Sequence, residues 1–403
     1  MTTTWELKPF EQIVALQRGF DLPVQSRTKG SVAVIGSNGI VGFHDSAPTG
    51  VPVPGLMVGR SGSVGKLSFS SEEYWPLNTV LYVKDFHGND PLFLSYWLRL
   101  FPFDQYAQGV SVPTLNRNSF GAVPFPIPNT DEQIKIASAL RSLEESLGLH
   151  ERALSIGHEL KRAAMQELFA RGLRGEAQKE TEIGLVPESW DVVPLGSLGR
   201  IGNGSTPKKS VQEYWTGGHF PWLTSAKVYD RDIVAAGQHV TATALRECHL
   251  PVIEPGAILI AITGQGKTLG HCAVLRMRAT VNQHVAYVAT NLDRAEPSFV
   301  RGYLETQYAY FRQVGAGGGS TKGALTCGFL REVPVPLPPT LDEQTEIAAI
   351  LDAIDHKIDL HRRKRAVLDE LFKALLHKLM TGEIRVDDLD LSALAEKGEK
   401  VAA

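Results

Sequence analysis

The stretch PFPIPNTDEQIKIASAL, residues 124–140, occurs a second time as PVPLPPTLDEQTEIAAIL, residues 334–351. Each copy has three alternating prolines, then threonine, then Asp-Glu-Gln and a run of periodic apolar residues. Proline disrupts a helix but suits an extended chain, so each block predicts an extended segment followed by a helix. The repetition of so specific a block indicates that the chain is an internal duplication.

The duplication extends towards the N-terminal side of each block. WELKP at 5–9 matches WDVVP at 190–194, and GRSGSVGK at 59–66 matches ITGQGKTLG at 262–270. The offset between the copies grows from 185 residues at the tryptophans to 211 at Asp-Glu-Gln. The second copy therefore carries longer loops between fixed landmarks.

Each copy is predicted to contain short strands and, near its end, a helix at residues 92–108 or 297–313. A second, long helix follows each Asp-Glu-Gln. Its start has the pattern of a capping box, Thr130-x-x-Gln133 and Thr340-x-x-Glu343, with acidic residues in the first turn.

Both long helices carry an apolar stripe at the heptad spacing of a coiled coil. In the second helix the stripe consists of Ile347, Leu351, Ile354, Ile358, His361, Arg365, Leu368, Phe372, Leu375 and Leu379. In the first it consists of Ile136, Leu140, Leu143, Leu147, His150 and Leu154. Beyond that point Gly157 and Lys161 interrupt the first stripe, which is predicted to drift to Ile156 and Leu160.

Neither long helix can bury its stripe alone, so we expect the two helices to pack on each other. The predicted fold class is α+β, with two globular domains separated by two long helices packed as an antiparallel coiled coil. The whole forms a pseudo-two-fold internal repeat.

The composition is that of a globular protein, with 43% hydrophobic and 21% charged residues among 403. The longest apolar run, residues 257–262, is far too short to cross a bilayer, and the N-terminus does not resemble a signal peptide. Three cysteines without metal-like spacing favour a reducing cytoplasm. The net charge of −3 means that any DNA contact must depend on basic residues that share one face.

The paired blocks and heptad helices resemble the specificity subunit of a type I DNA restriction–modification enzyme. The resemblance covers residues 5–385, and LGSLGRIGNGSTP at 195–207 and VNQHVAYV at 281–288 also look like landmarks of that family. It implies that each globular copy is a target-recognition domain that reads one half of a bipartite, asymmetric DNA sequence. It also implies that the chain has no catalytic centre and is not an enzyme by itself.

The implied domains are target-recognition domain 1 at 1–129, a spacer helix at 130–175, target-recognition domain 2 at 180–339, a second spacer helix at 340–382 and a polar C-terminal tail at 383–403. The resemblance implies double-stranded DNA and two methyltransferase subunits, which dock on the helices, as partners. Those subunits would bring S-adenosylmethionine, and a motor–nuclease subunit would bring ATP and Mg²⁺. No cofactor or metal is expected on this chain, and no membrane partner.

The stretch AITGQGKTLG, residues 261–270, matches the relaxed phosphate-loop pattern [AG]-x-x-x-x-G-K-[ST]. A working phosphate loop is followed by a helix, whereas the next residues here alternate like another strand. We therefore favour a glycine-rich hairpin over a nucleotide-hydrolysing site. This hairpin presents Lys267 in the second copy, and Arg60 and Lys66 in the first, either to DNA or only to solvent.

The candidate DNA-binding residues are basic or small polar residues in loop-like stretches, because such side chains can contact phosphates or base edges. They are Arg27, Lys29, Asn38, Arg60, Lys66, Arg117, Lys208, Lys209, Lys267, Ser320 and Lys322. A solvated loop residue is the alternative for each of them.

The Asp-Glu-Gln residues are interpreted as helix-start residues, with docking of a methyltransferase as a second possibility: Asp131, Glu132, Gln133, Asp342, Glu343 and Gln344. The adjacent pairs Cys248-His249 and His271-Cys272 lack the spacing of a zinc site. No motif of a methyltransferase or nuclease is found, so no catalytic residue is predicted. The alternative function is a coiled-coil scaffold whose globular domains bind protein or carbohydrate.

Overall fold

The computed structural model of the chain describes residues 5–109, 113–264, 267–316 and 324–389. The chain forms two compact units by its internal contacts. The first unit comprises residues 1–152 and 362–403, and the second comprises residues 153–361. Most of the polar tail, from residue 390 onwards, lies outside the described residues.

The helices of the described chain include the two long ones that the sequence predicts. They are α1 (Phe10–Ile13), α2 (Pro91–Trp97), α3 (Thr130–Arg171), α4 (Ala242–Glu247), α5 (Pro297–Thr306), α6 (Tyr308–Ala316), α7 (Cys327–Glu332) and α8 (Leu341–Met380).

The two shorter helical predictions have different outcomes. The helix expected at 92–108 is wrong beyond α2 and the 3-10 turn that follows it. Phe101, which precedes Pro102, is extended with ψ 126°, as a residue before proline prefers. The helix expected at 297–313 is present as α5 and α6, with a break at Gln307.

The first unit contains short strands in two main sheets. The strands are β1 (Glu6–Pro9), β2 (Ala15–Arg18), β3 (Val32–Gly36), β4 (Gly39–His44), β5 (Gly55–Gly59), β6 (Leu67–Ser70), β7 (Tyr74–Pro76), β8 (Val80–Asp85), β9 (Ala107–Gln108), β10 (Thr114–Leu115) and β11 (Pro124–Ile127). One sheet has the order β2-β8-β5-β6 and the other has the order β4-β3-β7.

The second unit repeats this arrangement. Its strands are β12 (Gln178–Thr181), β13 (Gly184–Pro187), β14 (Asp191–Pro194), β15 (Gly199–Asn203), β16 (Phe220–Leu223), β17 (Asp232–Ile233), β18 (Gln238–Val240), β19 (Ile258–Ala261), β20 (Cys272–Leu275), β21 (Thr280–Val281), β22 (Val285–Thr290) and β23 (Pro334–Leu337). The sheet β15-β22-β19-β20-β17 matches β2-β8-β5-β6 with one added strand, and β18-β16-β21 matches β4-β3-β7.

The proline ladders are strands, as their sequence predicts. In the first unit β1 pairs with β11, so Glu6 lies opposite Ile127 and Pro9 opposite Pro124. In the second unit β14 pairs with β23 in the same antiparallel way. In each copy, the first strand and the proline ladder, which are the segments most alike between the two copies, therefore pair with each other. This strand pair lies next to the start of the long helix.

The long helices pack on each other within each unit. In the first unit Ile136, Leu140 and Leu143 of α3 share a core cluster with Phe372 and Leu379 of α8. In the second unit Met165 and Phe169 of α3 share a cluster with Ile347 and Leu351 of α8. The early part of α3 thus meets the late part of α8, and the late part meets the early part, which is an antiparallel pairing. The predicted α+β fold class with an internal repeat is confirmed.

The predicted drift of the α3 stripe is wrong. Ile156 and Leu160 are 64% and 55% exposed. Gly157 faces α8 instead, and a Cβ atom there would lie 2.9 Å from Cγ1 of Ile358. One turn later Lys161 fills the stripe position and forms an ion pair of 2.8 Å with Asp355. The heptad register therefore continues with a glycine and a paired lysine in place of apolar side chains.

Candidate nucleic-acid interface

The glycine-rich loop of the first unit follows β5 and is held against a neighbouring hairpin. The Nζ of Lys66 donates to the backbone carbonyl of Asn38 at 2.8 Å, and the Ser63 hydroxyl donates to the Asn38 side chain. A Cβ on Gly59 would lie 1.9 Å from the Ser63 carbonyl oxygen, so the turn requires glycine there. Two predicted residues, Asn38 and Lys66, are thus joined directly.

Beside this loop lies a polar cavity of about 700 Å³ in the first unit. Its lining is rich in hydrogen-bond donors, which favours contact with DNA. The donors are the side chains of Arg18, Arg60 and Arg117 and the side-chain amides of Gln17, Gln108 and Asn116. We call this cavity the arginine groove. Arg60 and Arg117 were predicted from the sequence, whereas Arg18 was not.

Two of these arginines are held by main-chain oxygens. The Nη1 of Arg117 donates to the Leu16 carbonyl at 3.0 Å, and the Nη1 of Arg60 lies 3.4 Å from the Asn78 carbonyl. Arg18 pairs with Asp21 at 3.0 Å on an exposed face. A guanidinium group has five N–H donors, so one bond to a carbonyl orients the group and leaves donors for a ligand.

Arg27 and Lys29 do not line the groove. Arg27 is half-buried, and its Nη1 donates to the Val41 carbonyl of β4 at 2.9 Å. Lys29 is exposed two residues further on. They remain predictions for a separate part of the surface.

In the second unit the stretch that resembles a phosphate loop is a hairpin, as expected. β19 pairs antiparallel with β20, and the described residues after Lys267 enter a strand instead of a helix. Lys267 is exposed, and its carbonyl accepts a 2.6 Å hydrogen bond from the Tyr308 hydroxyl. The described residues that follow Lys267 therefore provide no helix N-terminus of the kind that binds phosphate in nucleotide hydrolases.

A relay of exposed polar side chains connects this hairpin to the loop after β15. Thr206 bonds to Gln283, Gln283 lies 3.2 Å from His284, and His284 bonds to Thr263 at the hairpin. Lys208 and Lys209 are exposed in the same loop as Thr206. The neighbouring Trp215 packs edge-on against buried Trp222. Ser320 and Lys322 lie outside the described residues.

The glycine-rich loops of the two units have matching main-chain hydrogen bonds. The Arg60 amide donates to Thr79 and its carbonyl accepts from Leu115, each at 2.8 Å. The Ile262 amide donates to His284 at 3.0 Å, and its carbonyl accepts from Leu325 at 2.8 Å. Arg60 and Ile262 are therefore equivalent positions on the same backbone frame.

The Asp-Glu-Gln triplets only partly fulfil their predicted roles. Gln133 and Gln344 are each 1% exposed and Glu343 is 3% exposed, so docking of a partner through these three side chains is wrong. Asp131, Glu132 and Asp342 lie in the first helical turn with greater exposure and remain docking candidates.

The two buried glutamines instead connect parts of their own unit. Gln133 accepts from the Asp90 amide at 2.8 Å and donates to the Pro128 carbonyl at 2.9 Å. Gln344 accepts from the Glu296 amide at 2.8 Å and donates to the Pro338 carbonyl at 3.2 Å. Each glutamine therefore joins the N-cap of a short helix, α2 or α5, to the last proline of its ladder.

The capping boxes are incomplete. The Thr340 hydroxyl accepts from the Glu343 amide at 3.3 Å, as predicted for α8. In α3 the cap is Asn129, whose side chain accepts from the Glu132 amide at 3.0 Å, and not Thr130. The glutamine expected to return to the N-cap of α3 is used by the contact with Asp90.

The three cysteines are free, and Cys272 is the buried one. Burial raises the pKa of the Cys272 thiol to about 12, which keeps it protonated at neutral pH. Across residues 5–109, 113–264, 267–316 and 324–389, no group of three or more His, Cys, Asp or Glu residues is arranged to hold a metal ion. Within the same ranges, no helix is both long and apolar enough to span a membrane.

A family model described as the type I restriction modification DNA specificity domain matches residues 29–156 and 187–370. The chain belongs to this family. Each matched stretch covers most of one globular copy and most of its long helix, so the duplication seen in the strands is also a duplication of the family's domain. The predicted resemblance is confirmed.

Individual relatives agree with the family match. A putative type I restriction enzyme specificity subunit of Methanocaldococcus jannaschii is 26% identical over 322 residues, which are 77% of this chain and 72% of that protein. A type I restriction enzyme specificity subunit of Escherichia coli is 24% identical over 269 residues, 65% of this chain and 63% of that protein.

A solved structure shares the fold. The type I restriction–modification S subunit from M. genitalium has a TM-score of 0.66 and 17% identity, and the alignment covers 93% of this chain and 96% of that one. The family match and the named relatives support a type I restriction–modification specificity subunit. That assignment displaces the scaffold alternative.

Proposed function

We propose that the chain reads a bipartite, asymmetric target in double-stranded DNA, with one globular copy for each half-site. The matching sheet orders and loop hydrogen bonds of the two copies carry this proposal. The two copies have the same main-chain hydrogen bonds in this loop but carry different side chains, as at Arg60 and Ile262. Because side chains at base edges determine which sequence is bound, unequal side chains give unequal half-sites.

The copies are proposed to correspond to residues 1–129 and 180–339, with the candidate residues of each loop cluster at the DNA. Asn38, Arg60, Lys66 and Arg117 would act in the first copy, and Lys208, Lys209 and Lys267 in the second. The long helices would serve as spacer, so that helix length determines the gap between half-sites.

The same helices are proposed to dock two methyltransferase subunits. Ile156 and Leu160 of α3 and Val367 of α8 are large apolar residues with more than half of their surface exposed. Apolar side chains left outside the helix pair fit a protein partner better than solvent. In the complex the methyltransferases would bind S-adenosylmethionine, and a motor–nuclease subunit would bind ATP and Mg²⁺.

Methylation mapping tests target reading. The full chain is co-expressed with its methyltransferase subunits in a host without DNA methylation, and modified bases are located by single-molecule sequencing. We expect one two-part motif with a fixed spacer. Replacing residues 1–129 by the matching domain of a relative should change one part only, and a change in both parts would contradict one domain per half-site.

Co-purification tests docking. The double variant Ile156→Glu, Leu160→Glu is expected to abolish capture of a tagged methyltransferase subunit, because a carboxylate cannot enter an apolar contact without a partner. His158→Glu, on another exposed face of the same helix, is the matched control and should leave capture unchanged. Equal capture by both variants would contradict docking at this surface.

A further inference from the structure

The three arginines of the arginine groove are present in the first copy, and the equivalent positions of the second copy hold uncharged residues. Val58 of β5 and Arg18 of β2 both lie opposite Leu81 of β8. In the second unit Ile260 and Asn203 both lie opposite Ala286 of β22. Since Val58 and Ile260 stand two residues before the equivalent pair Arg60 and Ile262, Arg18 corresponds to Asn203.

The third arginine also has an uncharged counterpart. The Leu115 amide donates to the Arg60 carbonyl, and the Leu325 amide donates in the same way to the Ile262 carbonyl. Each of these leucines is followed by a residue that caps a helical turn. Asn116 caps the turn that begins at Arg117, and Thr326 caps α7, which begins at Cys327. The three arginines of the first unit therefore stand where the second unit has Asn203, Ile262 and Cys327.

The lining of the groove fits base edges better than phosphate alone. None of the described residues that line it is acidic; Asp21, which pairs with Arg18, lies outside the lining, so Arg60 and Arg117 are the cations available to a ligand. Phosphate oxygens accept hydrogen bonds but donate none, whereas the side chains of Gln17 and Gln108 offer acceptors as well as donors. Arginine pairs with O6 and N7 of guanine, and amide side chains pair with adenine.

Resting on the proposed function, we propose that the arginine groove reads a G·C pair in the half-site of the first copy, through Arg60 and Arg117. The orientation of both guanidinium groups by main-chain carbonyls favours a fixed reading position over a mobile phosphate contact. At the three equivalent described positions the second copy has Asn203, Ile262 and Cys327, so its half-site is read by other side chains.

The test uses the full chain in complex with its methyltransferase subunits and a duplex that carries the mapped motif. Each guanine of the motif is replaced in turn by 7-deazaguanine, which lacks the N7 acceptor. For the unsubstituted complex we expect one guanine, in one half-site only, whose replacement weakens binding about 10-fold or more.

Arg60→Gln and Arg117→Gln are expected to remove that sensitivity and to relax the base preference at that position about 10- to 100-fold. Selectivity at the other half-site should stay unchanged, which verifies that the variants are folded. Lys84→Gln, an exposed residue at the end of β8, removes the same charge outside the groove and should leave all preferences unchanged.

Two results would overturn guanine reading. In the first, 7-deazaguanine has no effect at any position. In the second, both arginine variants weaken binding to every sequence equally, as loss of a phosphate contact would. Either result leaves the complex a sequence-selective DNA binder, whereas a complex without any sequence selectivity would instead reject the proposed function itself.

Discussion

Replacing Gln133 by alanine should destabilise the first unit, because this buried side chain of α3 makes three hydrogen bonds, two to the neighbours Asn89 and Asp90 and one to Pro128. It accepts from the Asp90 amide and donates to the Asn89 side chain and to the Pro128 carbonyl, at 2.8, 2.8 and 2.9 Å. A buried hydrogen bond contributes about 1 kcal/mol, so loss of three lowers the free energy of unfolding by about 3 kcal/mol.

Hydrogen–deuterium exchange measures this change in each unit separately. For peptides that contain β8 and α2, about 3 kcal/mol corresponds to roughly 100-fold faster exchange, where exchange follows unfolding of the unit. Peptides that contain β22 should keep their rates. Gln12→Ala, at an exposed position of α1 in the same unit, is the matched control and should alter rates by less than about 3-fold.

A rise of less than about 5-fold in the β8 peptides, which corresponds to about 1 kcal/mol, would refute the reasoning. The Gln133 amide would then be replaced by water at little cost, and the Gln-to-proline contact would not be the element that joins α2 to the ladder.

Three further predictions concern the second unit and the helices. Lys161→Ala removes the ion pairs with Asp355 at 2.8 Å and Glu305 at 2.5 Å. Because Asp355 keeps Arg231 and Arg301 at 3.6 Å, the unfolding free energy of the second unit should fall by only about 2 kcal/mol, measured by urea unfolding, and a fall of less than about 0.5 kcal/mol would contradict a structural role. Burial lowers the pKa of His271 below 6.5, so the folded unit binds this proton less well than the unfolded chain. The stability of the second unit should therefore be complete above about pH 6.5 and fall as the pH drops through the folded pKa of His271. Thermal unfolding at a series of pH values measures this. A His271→Asn variant that keeps the whole pH dependence would exclude this histidine as its cause. Insertion of seven residues into both α3 and α8 adds about 10 Å, or about three base pairs, so the spacer of the methylated motif should lengthen, and an unchanged spacer would reject the helices as its determinant.

The parts of the fold that the sequence predicts are those with local signals. The proline ladders become β11 and β23, and acidic first turns lie at the starts of α3 and α8. The hairpin at Lys267 follows from the alternation after it. In each case the residues that determine the structure lie within one turn or one strand of each other.

The parts that the sequence does not predict depend on residues far apart in the chain. Gln133 meets Asp90 across 43 positions, so its pattern as a helix-start residue gave no sign of burial against α2. Arg18 lines the groove only because β2 pairs with β8 in a particular register. At Gly157 the helices pack closely because glycine has no side chain. A search for apolar residues at heptad positions does not detect such a contact.

The bonds of Leu115 to Arg60 and of Leu325 to Ile262 join main-chain atoms only. Such bonds are indifferent to the side chain that the residue carries. Under the proposed function, single codon changes at the groove would therefore change the target while the fold is inherited intact. In this protein, the residues proposed to determine the target can change without altering the hydrogen bonds that hold the fold together.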